Sequence, residues 1–309
     1  MKSKRMIFTL LFSLGCLVWA SHVTRANPNH HQTDEEGLKV MSYNVLHGGT
    51  KRGQALSQTA KVIQASGADI VGLQEVGDNA KELAALLGWN YVRHGWSSIL
   101  TRFEIVEKLN GGAKLKLDSG REVCVFNLHL NPAPYQPYQL MNIPYGKAAF
   151  IKTEQEAITH AEKARGKQIT ELFSKIEKLT NKNLPVFITG DFNEPSHLDW
   201  TAAAAKAGRH PIKVEYPSSK ALAEKGFLDS WREFRPDEMK YPGHTWSPLT
   251  KADNPKDHHD RIDFVYFKGK NLKVKSVKIV GENKQNADII VSPYPSDHRA
   301  VVASFMLYE

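Results

Sequence analysis

Apolar residues along this chain come in short runs broken by glycine, asparagine and aspartate, and most runs have the length of strands. LKVMSYNVLHGG (38–49) reads as a strand ending in a glycine-rich turn, and ADIVGLQEV (68–76) as a second strand. Between them, QALSQTAKVIQASG (54–67) sets Leu56, Ala60 and Ile63 at helical spacing and stops at Gly67. NAKELAALLG (79–88) is a short helix ending at Gly88. WNYVRHGWSSILTRF (89–103) and EIVEKL (104–109) read as strands, and AKLKLDSGREVCVFNLHL (113–130) as a hairpin turning at Asp118, Ser119 and Gly120. TEQE (153–156) is a capping box, so a helix is expected from 153 to about 179, burying Ile158, Ala161, Ile169, Leu172 and Ile176. LPVFITGDFNEP (184–195) is a buried strand cut short at Gly190, and HLDWTAAAAKAG (197–208) a helix. HTWS (244–247), RIDFVYF (261–267), LKVKSVKIV (272–280) and HRAVVASFML (298–307) supply the last strands.

Strands outnumber helices, hairpins join many of them, and the long helices fall between sheet segments. That pattern predicts an α/β (α+β) fold of two packed mixed sheets with helices outside. No proline- or glycine-rich linker divides residues 38–309, so they are expected to form one domain.

The first residues differ. Lys2, Lys4 and Arg5 lead into the charge-free MIFTLLFSLGCLVWA (6–20), too short to span a bilayer comfortably; residues 1–20 read as a signal peptide. Val18, Trp19 and Ala20 offer a cleavage pattern and Ala26 a later one, and residues 21–37 read as a flexible polar leader. The expectation is an exported protein, secreted or periplasmic, with no transmembrane helix in the mature chain. SLGC, ending at Cys16, loosely resembles a lipoprotein box, with Ser13 where leucine is usual; lipid anchoring and an uncleaved signal anchor are the alternatives. Cleavage would leave Cys124 as the one cysteine, so no internal disulfide forms, and its alternating strand marks it as a core thiol. Losing Lys2, Lys4 and Arg5 takes the formal charge from +8 to +5, a mildly basic balance that suits an anionic substrate or serves solubility alone.

Candidate chemistry sits where strands end. Asn44 ends SYNV, Glu75 ends LQEV, Arg102 closes SSILTR, and His129 lies in NLHL. Asp191 and Asn193 are in GDFN, His244 in GHTW, Asp263 in RIDF, and Asp297 and His298 in SDHR. Each alone has a plain explanation. Gly190, Asp191 and Asn193 are turn residues, Glu75 fits a sheet-edge charge, and His129 fits a satisfied core histidine. As a set they place acids, amides and histidines together wherever strand ends meet.

SYNV, LQEV, SSILTR, NLHL, GDFN, RIDF and SDHR, in that order, resemble the endonuclease/exonuclease/phosphatase superfamily over residues 38–309. The resemblance implies a four-layer αββα sandwich with the site at one end of the two central sheets. It also implies a divalent cation, usually Mg2+ with Mn2+ or another ion possible, and hydrolysis of a phosphoester by activated water. Glu75 matches the metal ligand, with Asn44 beside it and Asp297 contributing. His298 matches the general base and Asp263 the carboxylate that orients it. Asp191 and Asn193 match groups holding the water and the phosphoryl oxygens, His129 a donor to a phosphate oxygen, and Arg102 a phosphate or structural contact.

Substrate is less legible. NPAPYQPYQLMNIPYG (131–146) follows His129 directly, and its four prolines and Tyr135, Tyr138 and Tyr145 give a stiff loop with flat faces. It is expected to wall the site against an organic group, or else to pack on its own tyrosines. His258 and His259 read as part of an exposed polar loop that has the residues to hold a second metal, and His244 as near the site or in a cap or core role. No dense basic stripe is present; Lys273, Lys275 and Lys278 read as one solvated strand face. The leading expectation is a phosphodiesterase or phosphatase acting on a small or lipid-derived phosphoester, with no protein partner inferred. A secreted endonuclease on DNA or RNA and a non-catalytic binding module on the same fold are the alternatives.

Overall fold

The computed structural model describes residues 37–179 and 183–308; the expected signal peptide, its Cys16 and the leader up to residue 36 lie outside the described residues. The strands are β1 (Leu38–Asn44), β2 (Ile70–Gln74), β3 (Asn90–His94), β4 (Ser97–Thr101), β5 (Glu104–Leu109), β6 (Gly112–Lys116) and β7 (Glu122–His129). They continue with β8 (Val186–Asp191), β9 (Leu228–Asp229), β10 (Asp263–Lys268), β11 (Leu272–Gly281), β12 (Ile289–Ile290) and β13 (Ala300–Leu307). A seven-stranded sheet runs β12-β11-β13-β1-β2-β4-β3, and a six-stranded sheet runs β5-β6-β7-β8-β10-β9.

Register brings the candidate residues to one edge of each sheet. Parallel β1 and β2 pair Asn44 with Gln74, and parallel β7 and β8 pair His129 with Asp191. β10 is antiparallel to β8 and sets Asp263 opposite Asp191, while β13 is antiparallel to β1. The ends of β1, β2, β7 and β8 therefore lie beside the starts of β10 and β13.

Period-two alternation decides the layers. Val40, Ile70 and Ile99 meet Val125, Phe187 and Val265 as an apolar layer between the sheets. The outer face of the first sheet, with Met41, Tyr43, Val71 and Leu73, is covered by helices Leu56–Ser66 and Ala80–Leu87. The outer face of the second, with Cys124, Phe126, Ile188 and Phe264, is covered by helices Lys167–Glu177 and Pro217–Glu224. The order is helix, sheet, sheet, helix, as the resemblance implied. Cys124 is buried and free, and burial pushes its thiol up to about 11.

Near the site the layer between the sheets turns polar. Asn127 Oδ1 accepts from Gln74 Nε2 at 2.6 Å and from Thr189 Oγ1 at 3.0 Å, and its amide donates to the carbonyls of Leu73 and Ser98. Gly72 permits this close approach, since a Cβ there would stand 1.9 Å from Thr189 Oγ1.

Four elements depart from the expectation, and the first is HLDWTAAAAKAG, which is helical only over Ala202–Lys206, its first residues forming turns. WNYVRHGWSSILTRF turns at Gly95 into two strands. HTWS is no strand, and its Trp246 makes only isolated pairings with Asp260 and His298. The capping box at Thr153 and Glu156 is present, but the helix it opens is interrupted: Glu154–Ala161 and Lys167–Glu177 are joined by a widened turn over Glu162–Gly166. Such a turn inserts a residue and rotates its neighbours. Here it sends Arg165 inward, fully buried, where it donates to the carbonyls of Asn131 and Pro134 and to Gln136 Oε1 and lies 3.5 Å from Glu194. No helix among the described residues is long and apolar enough to cross a membrane.

Candidate active site

Asn44 joins the two sheet edges. Its Nδ2 donates to Glu75 Oε1 at 3.1 Å and to Asp191 Oδ2 at 2.9 Å. His129 Nε2 stands 3.8 Å from Glu75 Oε1 and 3.6 Å from Asp191 Oδ2. His298 Nε2 approaches the same Asp191 oxygen at 3.7 Å, and its Nδ1 donates to Asp263 Oδ2 at 2.9 Å. The Asn193 N–H donates to Asp191 Oδ1 at 2.8 Å, and its amide to the Leu130 carbonyl at 3.0 Å. Side-chain parity explains the convergence: Asn44, His129, Asp191 and Asp263 share the inter-sheet face with Val40, Val125, Phe187 and Val265.

The backbone around these groups is strained. Glu75 has φ 61° and Asn193 φ 48°, with Leu46 at 57° and His47 at 42°, a region that non-glycine residues rarely occupy. Hydrogen bonds hold Glu75 there: its carbonyl accepts from the Gly48 N–H at 2.6 Å, and its Oε2 from the His47 N–H at 2.9 Å. Strain that surrounding contacts over-determine is common where side chains must be aimed. Thr245 Oγ1 accepts the Ile262 and Asp263 N–H groups, each at 3.1 Å, and the Trp246 ring packs 4.9 Å from the His298 ring.

The electrostatics follow from burial and from these partners. Burial opposes charge on His298, but Asp263 and Asp191 outweigh it and hold the imidazole up to about 10. Burial also works against an ionised Glu75, yet the His47 N–H and the Asn44 amide more than offset it, and the carboxyl titrates below its ordinary range. Asp297 is pushed up by burial, and Glu75 and Asp191 add to the effect. Its Oδ1 is a buried oxygen with no hydrogen-bond partner among the described residues.

This corner fits a hard divalent cation. Among the described residues the ion-pair partners of Glu75 and Asp191 are histidines, and no lysine or arginine is in direct contact with either carboxylate. Adding the orphaned Asp297 oxygen gives the all-oxygen set that Mg2+ takes while keeping several waters. Glu75, Asp191 and Asp297 are the residues that would hold it. Asn44 departs from its expected ligand role: its Oδ1 accepts from the Leu46 N–H at 3.0 Å and its NH2 faces the carboxylates, so it holds them together.

Other expected residues fall outside the cluster. Arg102 follows β4, which runs antiparallel to β2 and pairs Thr101 with Ile70, so it sits at the far end of the sheet, ion-paired with Asp69 at 2.7 Å. It has no place in phosphate binding at this edge. His244 faces the His259 ring, with centroids 6.1 Å apart, and burial pushes it down to about 4. Tyr135 and Tyr138 direct their hydroxyls away to Asp260 and Asp257, leaving ring faces to line a cavity with Asn193. His258 and His259 are packed rather than exposed, because the 257–260 segment folds against Trp246, Thr250 and Trp200. Sequence reasoning missed His47, Asn127, Thr245 and Trp246. Only Asn127 left a signal, two positions before His129 on one strand face.

Two face-to-face sheets with acids, amides and histidines at a shared edge define a phosphoesterase or nuclease architecture. The model of the Endonuclease/Exonuclease/phosphatase family matches residues 41–298, and the chain belongs to that family, whose members are divalent-metal-dependent phosphoesterases and nucleases. It is similar to F14F9.5, an uncharacterised Caenorhabditis elegans protein, at 30% identity over 97% of this chain and 98% of the relative. Among solved structures it resembles an endonuclease/exonuclease/phosphatase from Beutenbergia cavernae, with 17% identity, 88% of this chain and 72% of that one covered, and a TM-score of 0.55. It likewise resembles D. rerio TDP2 complexed with single strand DNA product, with 16% identity, 88% and 100% covered, and a TM-score of 0.54.

Proposed function

We propose that this chain hydrolyses a small or lipid-derived phosphoester with the help of Mg2+ or Mn2+. The observation that carries the substrate class is a cavity of about 80 Å3 opening beside Asn193 and lined by Tyr135, Tyr138, Tyr145 and Trp246. Tyr135 and Tyr138 meet edge to face at 4.9 Å, and Tyr138 and Tyr145 at 5.8 Å, so the rings of the wall brace one another. Its size admits a compact organic group, and Asn193 ties it to Asp191.

The chain's groups divide the chemistry. Asp263 keeps the Nδ1 proton of His298 in place, which aims Nε2 at the water held by Asp191. His298 then takes the proton of that water as general base. His129 Nε2 donates to a phosphoryl oxygen and stabilises the charge that builds there. Held by Glu75, Asp191 and Asp297, the cation would supply Lewis-acid polarisation of the phosphoryl oxygens, and its charge beside Asp191 would lower the affinity of His298 for its extra proton.

A nuclease reading draws on a second opening. A polar groove of about 390 Å3 is lined by His129 together with His94, Gln168 and Lys175. It suits a second, hydrophilic arm of a diester, and D. rerio TDP2, of similar fold, was solved complexed with single strand DNA product. The deciding assay runs bis-p-nitrophenyl phosphate, p-nitrophenyl phosphate and plasmid DNA in parallel, with and without chelator. Chelator-sensitive cleavage of the small esters with little nicking supports the proposal; strong nicking with slow small-ester turnover replaces it with the nuclease. Export remains a proposal drawn from residues 1–20, tested by the N-terminal sequence of the protein recovered from its native cell envelope or medium.

A further inference from the structure

A second cluster lies behind the tyrosine wall. His210 Nδ1 and His258 Nε2 face each other at 3.1 Å. Asp260 Oδ1 stands 3.7 Å from His258 Nε2, and all three ligand atoms lie within 4.8 Å of one another. The 3.1 and 3.7 Å separations bracket those between ligands around a tetrahedral zinc ion, which at about 2.0–2.1 Å from the metal stand roughly 3.3 Å apart. Two neutral imidazoles that only hydrogen bond would account for the first distance, but not for a carboxylate oxygen converging on the same point.

Asp260 is the stronger indication. It is 2% exposed, and its ion-pair partner among the described residues is His258. Its two oxygens are already aimed: Oδ1 accepts from Trp200 Nε1 at 2.9 Å and Oδ2 from the Tyr135 hydroxyl at 2.6 Å. Neutral donors orient a carboxylate without cancelling its charge, and a buried charge left uncancelled is costly. Hydrogen bonds behind a metal-binding carboxylate are the usual way of fixing it. His210 is also fixed, its ring stacked on the Trp200 indole at 4.2 Å and 12°.

We propose that His210, His258 and Asp260 bind one divalent transition-metal ion of the zinc class, with a water in the fourth position. Two imidazole nitrogens and one carboxylate oxygen are softer than the all-oxygen set at Glu75, Asp191 and Asp297, so the two sites select different ions. The ion would tie the segment carrying His210 to the one carrying His258 and, through Asp260, brace Tyr135 in the wall of the substrate cavity. Its role is structural. The inference does not depend on the phosphoester reading.

The test uses the full chain, stripped with chelator, saturated with Mg2+ to occupy the carboxylate corner, and titrated calorimetrically with Zn2+. One zinc per chain is expected, with a rise in melting temperature. His258→Ala should abolish this binding, whereas Glu75→Gln should leave it intact. Tyr135→Phe, which removes only the hydrogen bond behind Asp260, should weaken zinc by roughly 10- to 100-fold. Substituting Co2+ should give the visible absorption of a tetrahedral site in the wild type and none in His258→Ala. Zinc binding unaffected by His258→Ala, or abolished by Glu75→Gln, overturns the proposal. So does the absence of zinc binding in the Mg2+-saturated wild type.

Discussion

At the scale of single residues, the site is a set of carboxylates held in place by named neighbours. His298→Ala leaves Asp263 without its partner and Asp191 without the facing nitrogen. Turnover should fall roughly a hundred- to ten-thousand-fold, the range for losing a positioned acid or base, with the far-ultraviolet circular dichroism unchanged. Turnover within a few-fold of wild type would remove His298 from the chemistry. Glu75→Gln keeps the shape and removes a charge, so the Mg2+ concentration for half-maximal activity should rise; a metal titration that superimposes on wild type would exclude Glu75 as a ligand. Which residues meet was legible because strand ends announce themselves: Asp191 and Asp263 are last and first in their strands and stand opposite each other. Which residues hold them was not. Thr245 and His47 act through a hydroxyl and a backbone N–H to partners 18 and 28 residues away, and no periodicity encodes that.

At the scale of elements, strands and hairpins followed the alternation of the sequence, whereas the interrupted helix did not. The apolar positions at Ile158, Ala161, Ile169 and Leu172 fit a continuous helix, and the widened turn at Glu162–Gly166 is set by a tertiary demand, the burial of Arg165 against Glu194 and the 131–136 backbone. Arg165→Met keeps much of the stem but strands Glu194 in the interior. It should destabilise the fold by about 3–5 kcal/mol in urea unfolding, the cost of leaving half of a buried pair. Gly72 is the equivalent point between the sheets. Gly72→Ala would drive a methyl into Thr189 and break the Asn127 network, lowering stability by about 1–3 kcal/mol, as overpacking does. An unchanged denaturation midpoint would mean that the sheets yield there.

At the scale of the whole molecule, three half-buried histidines and the buried His298 give stability two opposed pH flanks. Burial lowers His94, His197 and His244, the last to about 4. Below about pH 6.5 the unfolded chain binds protons that these folded side chains refuse, so stability is present above that pH and is lost as pH falls towards 4. His298 has the opposite sign. Its raised affinity favours the fold fully below about pH 6.5, and that contribution disappears as pH rises towards 10. Urea melts of the metal-free protein across this range should show both flanks, with His244→Gln flattening the acid side and His298→Gln the alkaline side. Unaltered flanks in both variants would assign the pH dependence to other groups. Strand count and helix placement made two packed sheets with outer helices legible, and the resemblance of the ordered motifs implied the four layers; the cavity beside Asn193 was visible only as a tyrosine-rich loop, since its shape depends on Trp246 from a distant segment.

The strand order has a consequence in time. β13 follows the other described strands in the chain, yet it lies between β11 and β1 in the interior of its sheet, and His298 sits just ahead of it. A chain on which residues 298–307 are not yet made carries Asn44, Glu75, His129, Asp191 and Asp263 but has neither this interior strand nor the proposed base. Completing this sheet and placing His298 at the site are therefore one event, which waits for residues 298–307, and a chain cut ahead of His298 lacks both an interior strand of its sheet and the residue proposed as base.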